Sequence, residues 1–362
     1  MFASIDKPLF YASLILLVGG LLILASASVA LSYRNFGTIH YYTLRQFLYG
    51  GLVGSAMFFI ALATPYRFWK KMAIPMMIAS FILLALLFIP ELSYSFGGAR
   101  RWIELGPLTF QPSEILKFSF IAYLASWLEA RKREVGSVSY GMVPFAIMLG
   151  AVAIFLIMQP DFGTLGVIVS SAFILYFLGG GRISQIITLF AFGLVSFYFL
   201  IQLAPYRLAR ILVFLNPTLD PQGAGYQISQ SLIAIGSGGF LGLGFGQGVQ
   251  KYSFLPEPMG DSIFAIFSEE TGFLGAIILI SIFVFLLWRS LYIAKHAPDT
   301  FGKLMAAGIS ISIALQAFIN MAAISGLVPL TGIPLPFISY GGTSLAMTLG
   351  SIGVLLNISK HT

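Results

Sequence analysis

Ten apolar runs, each close to the length that crosses a bilayer, follow one another from Leu9 to Leu356. They lie near 9–31, 46–64, 72–90, 113–129, 142–158, 162–180, 184–203, 262–288, 303–326 and 339–357. A helix needs about 20 apolar residues to cross a hydrocarbon core of about 30 Å. This pattern predicts an all-α, polytopic membrane protein of about ten transmembrane helices, with one domain over residues 1–362. Only 9% of residues are charged, against roughly 25% in a soluble domain.

The polar breaks carry the topology. Twelve Lys and Arg, among them Lys7, Arg67, Arg131, Arg182, Arg289 and Lys360, fall in one set of alternate connections, seven in the other, and Lys117 lies inside a span. By the positive-inside rule the richer side is cytoplasmic, which puts both termini inside. The net charge of +7 is thereby explained by topology, and nucleic acid is not expected as a partner. Residues 9–31 are too long for a signal-peptide core and lack a small-residue cleavage site, so they read as a retained first span. The absence of cysteine excludes disulfides and thiolate metal sites. Three histidines far apart in sequence, His40, His296 and His361, make zinc chemistry unexpected.

Two outward connections are rich, 91–112 and the long stretch 204–261 before the eighth span. Function is expected to gather there. Tyr206 to Phe214 has one basic and one apolar flank, as a helix lying in the headgroup layer does. Ile228 to Ile235 reads as a second short interfacial helix, ended by the Gly-rich run 236–248. The chain shows no internal repeat of the kind that marks inverted-repeat transporters.

Ionisable groups in or beside a span are costly and are functional candidates by default. Pro112 and Ser113 suit a helix start, which sets Glu114 and Lys117 three apart on one face. They form either an internal ion pair that fastens helices or the lining of a polar cavity. Asp161, in the tight Gln159-Pro160-Asp161 connection, reads equally as the N-cap of the next helix and as a site carboxylate. Pro258 places Asp261 near the outward start of the eighth span. There the helix dipole favours the carboxylate and the lipid boundary favours the acid, a balance that suits a general base near neutral pH. Glu269 and Glu270 lie deeper, need partners from other helices and suggest a structural network. Gly332 to Ser344 interrupts helix before the last span, which is tolerated only in protein or beside a wet cavity. Gln316 and Asn320, four apart on the ninth span, would face a common neighbour and default to helix packing.

The chain resembles the SEDS family, the shape, elongation, division and sporulation proteins that include RodA and FtsW. The resemblance rests on Gly98-Ala99-Arg100-Arg101-Trp102-Ile103, Phe110-Gln111-Pro112-Ser113-Glu114 with Lys117, and Gln159-Pro160-Asp161-Phe162-Gly163-Thr164. It continues through Gly225-Tyr226-Gln227-Ile228-Ser229-Gln230-Ser231, Leu255-Pro256-Glu257 to Asp261, and Pro336-Phe337-Ile338-Ser339-Tyr340-Gly341-Gly342. Arg100-Arg101-Trp102 and Gly248-Val249-Gln250-Lys251 resemble the division branch, FtsW, more than the elongation branch. Met259-Gly260 and Ser262 depart from the His-Thr and Phe usual in the family, which bears on the shape of the acceptor pocket.

The resemblance implies a ten-span peptidoglycan glycosyltransferase of the bacterial cytoplasmic membrane. It would polymerise lipid II on the outer face, release undecaprenyl diphosphate and work with a class B penicillin-binding protein and other division or elongation proteins. Asp261 matches the family's essential aspartate and is the expected base, acting in a single displacement that inverts the anomeric centre. Arg100, Arg101, Lys117, Arg207, Arg210 and Lys251 are the outward cations for the leaving diphosphate, and Glu257 and Ser339 complete the expected substrate-binding set. Glu114 and Asp161 would position Lys117 or share a divalent ion, Mg²⁺ or Mn²⁺, with Asp261. A flippase for the same lipid would need a path open to both faces, whereas the special groups gather outward. A non-catalytic division scaffold leaves Glu114, Lys117, Asp161 and Asp261 unexplained.

Overall fold

The computed structural model describes residues 5–96, 99–106, 108–202, 212–252 and 254–362. Each expected span coincides with a helix: α1 (Lys7–Ala27), α3 (Tyr41–Ala63), α4 (Arg67–Leu86), α5 (Pro112–Ala130), α6 (Val138–Met158), α7 (Phe162–Leu178), α8 (Ile183–Gln202), α10 (Ile263–His296), α11 (Thr300–Ile324) and α12 (Gly342–Ser359). Among the described residues the shorter helices α2 (Val29–Phe36) and α9 (Ala224–Ser237) lie between them. Seven of these, α1, α3, α4, α6, α10, α11 and α12, are long and apolar enough to cross a membrane. Two more, α7 and the first part of α8, are apolar but shorter. In α5, the charges of Glu114, Lys117 and Glu129 offset its apolar length. The chain is a multi-pass membrane protein.

Local chemistry sets the helix starts. Asp6 caps α1 by accepting from Leu9 N at 2.9 Å, with Pro8 in the first turn. Asp299 caps α11 by accepting from Gly302 N at 2.7 Å. Helices α11 and α12 form the centre, with 78% and 83% of their apolar windows buried against 22% for α4. Helices apolar all round are buried in protein or face lipid, and this contrast separates the two cases.

Two features depart from the sequence expectation. The connection 91–112, expected only as a rich loop of an all-α chain, carries a sheet: Ser93–Phe96 (β1), Ala99–Leu105 (β2) and Leu108–Phe110 (β3) pair antiparallel in the order β1-β2-β3. Its signal was the alternation through Trp102-Ile103-Glu104-Leu105 and the turn at Gly106, a pattern too short to stand out beside 20-residue apolar runs. The register passes from Tyr94↔Trp102 to Ser95↔Arg100, so Arg101 is the extra residue of a β-bulge, a device that re-aims a side chain.

The eighth span is longer than expected and is broken. At Gly272, φ is 66° and ψ −166°, a conformation that favours glycine. The polar groups freed by the break are met by the Gly-rich loop after α9. Leu243 N and Gly244 N donate to Glu269 O and Glu270 O, each at 3.0 Å, while Phe273 N and Leu274 N donate to Gly239 O and Phe240 O at 2.9 and 3.1 Å. The predicted interfacial helix 228–235 lies within α9. The one predicted at 206–214 falls largely outside the described residues, as do Arg207 and Arg210.

Candidate active site

Asp261 stands two residues before α10 and lines a cavity of about 110 Å³ together with Arg101, Gln227, Ile228, Leu330, Thr331 and Gly332 among others. The backbone of residues 259–261 is braced from α11 and from the segment 339–340. Asn320 on α11 donates from Nδ2 to Asp261 O at 2.9 Å and to Ile333 O at 2.8 Å. Ser339 Oγ donates to Gly260 O at 2.6 Å and accepts from Leu335 N at 2.8 Å. Tyr340 N donates to Met259 O at 2.8 Å. Glu257, two residues N-terminal to Met259, holds a left-handed φ of 49°, and its carbonyl accepts from Gly260 N and Ser262 N at 3.0 and 3.3 Å. For a non-glycine residue this is a strained conformation of the kind that clusters at functional sites.

Burial first, and then the charge of Glu257, push the Asp261 carboxyl up to about 6, while the hydrogen bond from Gln227 opposes both. Glu257 keeps an exposed face, yet the protein around it desolvates its carboxyl enough to raise that too. A carboxyl near 6 is ionised at neutral pH and still basic enough to take a proton.

A second cluster, around Arg101, Asp161 and Lys117, adjoins this one. Arg101 reaches from its bulge to the Pro160 carbonyl and, at 3.5 Å, the Gln159 carbonyl, while lining the Asp261 cavity. Asp161 is both cap and cluster member: it accepts from Thr164 N at 3.3 Å and from Ser113 Oγ at 3.2 Å. Lys117 Nζ donates to Glu114 Oε1 at 2.9 Å and to Gln316 Oε1. Gln316 Nε2 donates in turn to Pro334 O at 2.9 Å. Gln316 and Asn320 therefore do share a neighbour, the non-helical segment 333–334 that separates the two clusters.

Three expected site residues are placed differently. Lys251 is 2% exposed and its Nζ is held by Glu270 Oε1 at 2.6 Å, Ser26 Oγ at 2.9 Å and Gly246 O at 2.8 Å. It neutralises the buried Glu270 and does not face the Asp261 cavity. The partner of Glu270 is thus a loop cation 19 residues earlier, not only another helix, and Glu269 accepts from Val249 N at 2.9 Å. Ser339 is spent on backbone behind the site. Glu114 is committed to Lys117, and among the described residues no group of three or more His, Asp or Glu could hold a metal. Among the described residues, Asp261 and Glu114 do not belong to such a three-ligand group. Gln227 was missed as a site residue. Its signal was an amide at the start of a short helix, within a motif read only as a resemblance.

The family model of the FtsW, RodA and SpoVE cell cycle proteins matches residues 7–362. The chain belongs to the SEDS family. Among SEDS relatives, stage V sporulation protein E of Bacillus subtilis is 42% identical over 359 residues, covering 99% of this chain and 98% of that one. A probable peptidoglycan glycosyltransferase FtsW of Geobacter sp. strain M18 is 39% identical, covering 98% and 97%. Solved structures share this fold. A chain from a peptidoglycan synthase complex, solved for the coordination of polymerization and crosslinking, superposes with a TM-score of 0.83 at 28% identity over 99% of this chain and 98% of that one. RodA of Thermus thermophilus superposes at 0.73 with 26% identity over 99% and 97%.

Proposed function

We propose that the protein polymerises lipid II into peptidoglycan glycan strands at the outer face of the bacterial cytoplasmic membrane. The observation that carries this reading is one cavity lined by both Asp261, its carboxyl at about 6, and Arg101. The names of the SEDS relatives support it.

In this reading Asp261 accepts the proton of the acceptor sugar hydroxyl as its oxygen bonds to the donor's anomeric carbon. The anomeric carbon to phosphate-oxygen bond breaks in the same displacement, and undecaprenyl diphosphate leaves. Arg101, a fixed cation beside the reacting centre, meets the charge that develops on the diphosphate. Lys117, paired with Glu114, supports Pro334 through Gln316, and Asp161 caps α7 beside the Gln159-Pro160 turn. The single displacement inverts the anomeric centre, giving a β-linked strand from an α-linked donor. Digestion of the polymer by a β-muramidase supports this, and a polymer that resists it overturns the inverting step.

The topology follows the charge count: ten spans, both termini cytoplasmic, active site outward. A class B penicillin-binding protein is the proposed partner, supported by the synthase complex among the solved relatives. A flippase is disfavoured because the cavity that holds Asp261 and Arg101 lies at the end of the bundle where α10 begins.

A further inference from the structure

The Gly-rich loop between α9 and α10 belongs to a connection that topology assigns to water, yet its surface is apolar. Phe240, Leu241, Leu243, Phe245 and Val249 are all 47% exposed or more. No charged residue occurs between Asp220 and Lys251. A run of large exposed apolar side chains without a charged rim marks an interaction surface.

Two observations identify what covers it. The first is the loop's level. Lys251 and Glu270 meet Ser26, the twentieth residue of α1, which stands about 28 Å along the helix from Lys7 at 1.5 Å per residue. That is close to the hydrocarbon thickness of about 30 Å. The loop residues bonded to Glu269 and Glu270 share this level, the outer boundary of the acyl region.

The second is the backbone. Four bonds between residues 239–244 and the α10 break, two donated from each side, fix the loop against α10 at this level. Gly242, with φ 81°, lies so close that a Cβ there would collide with Glu270 O. The cation that follows the loop turns inward to Glu270 and leaves the outer face uncharged.

We propose that residues 239–249 form a membrane-inserted loop whose apolar side chains lie among the acyl chains of the outer leaflet. The loop would thereby hold α9 and the start of α10, which carry Gln227 and Asp261, at the lipid surface. A partner protein's apolar face is the competing occupant. A protein rim of this size would be polar at its edge, and none of the loop's exposed positions is charged.

The natural lack of cysteine makes the test clean. Single variants Leu241→Cys, Phe245→Cys and the exposed control Thr218→Cys are spin-labelled, and the full chain is reconstituted alone in phospholipid nanodiscs. Power saturation then compares collision with oxygen, which partitions into lipid, and with a water-soluble nickel chelate. The expected result is oxygen-dominated relaxation at 241 and 245 and nickel-dominated relaxation at 218. Nickel-dominated relaxation at 241 and 245 would assign the face to water or a protein partner and overturn the proposal. Protection from both reagents would mean burial within the chain and would overturn it equally. The measurement needs no enzymatic activity, so its failure is distinct from failure of the polymerase reading.

Discussion

Gln227 Nε2 donates to Asp261 Oδ1 at 3.2 Å and to Ser262 Oγ at 3.0 Å. This amide ties α9 to the start of α10 and aims the carboxylate into the cavity. It also stabilises the ionised form of a carboxyl that burial and Glu257 push toward the acid.

The pH profile of polymerisation should therefore show an acidic limb at about 6, with activity falling as Asp261 protonates. Gln227→Leu removes a hydrogen bond that lowers the pKa, so the limb should move to higher pH. Glu257→Gln removes a charge that raises it, so the limb should move to lower pH. The limb of kcat/KM for purified enzyme on labelled lipid II checks both signs, and shifts in the same direction would contradict the assignment.

A carboxyl raised from 3.8 to about 6 costs folding energy when ionised. The cost is absent below the unfolded value and grows as pH rises through the folded one. Asp261→Asn should therefore raise the melting temperature at pH 8, by an effect of up to about 3 kcal/mol that fades toward pH 4. Thermal melts in detergent at the two pH values test this; an equal or lower melting temperature at pH 8 would contradict it.

The Lys251 and Glu270 pair should behave as a buried unit. Lys251→Met leaves a carboxylate buried without its cation and should destabilise by about 3–5 kcal/mol, whereas the double variant with Glu270→Gln should recover part of the loss. A double-mutant cycle by thermal melting measures the coupling.

Arg101 should resist conservative replacement. Lysine cannot present a planar fork of N–H groups to the carbonyls of Gln159 and Pro160 and still face the cavity. Arg101→Lys should lower kcat/KM by about ten- to a hundredfold with little change in melting temperature. Single-turnover kinetics on labelled lipid II beside a melt would separate the two effects.

The helices were legible because each is a long apolar run, and Asp261 because a carboxylate beside a span has few bland explanations. Arg101 was legible as a residue but not as a bulge, since the alternation of β2 is brief. Lys251 was misassigned for a physical reason. A cation in a polar-looking loop reads as exposed, and nothing local reveals that the loop folds back onto the α10 break and buries it. The break itself hid inside an otherwise continuous apolar run, with Gly272 its only mark. Gln227 acts across 34 residues, a separation that no periodicity reports.

The decisive experiment supplies labelled lipid II to the protein purified with a class B penicillin-binding protein, moenomycin being present to silence contaminating polymerases of the other family. Wild type is compared with Asp261→Asn, both shown to be folded by their melts. Glycan polymer from wild type and none from the variant is the predicted result. Equal polymer from both would remove Asp261 from the chemistry, and none from either, in samples shown to bind lipid II, would contradict the polymerase reading itself.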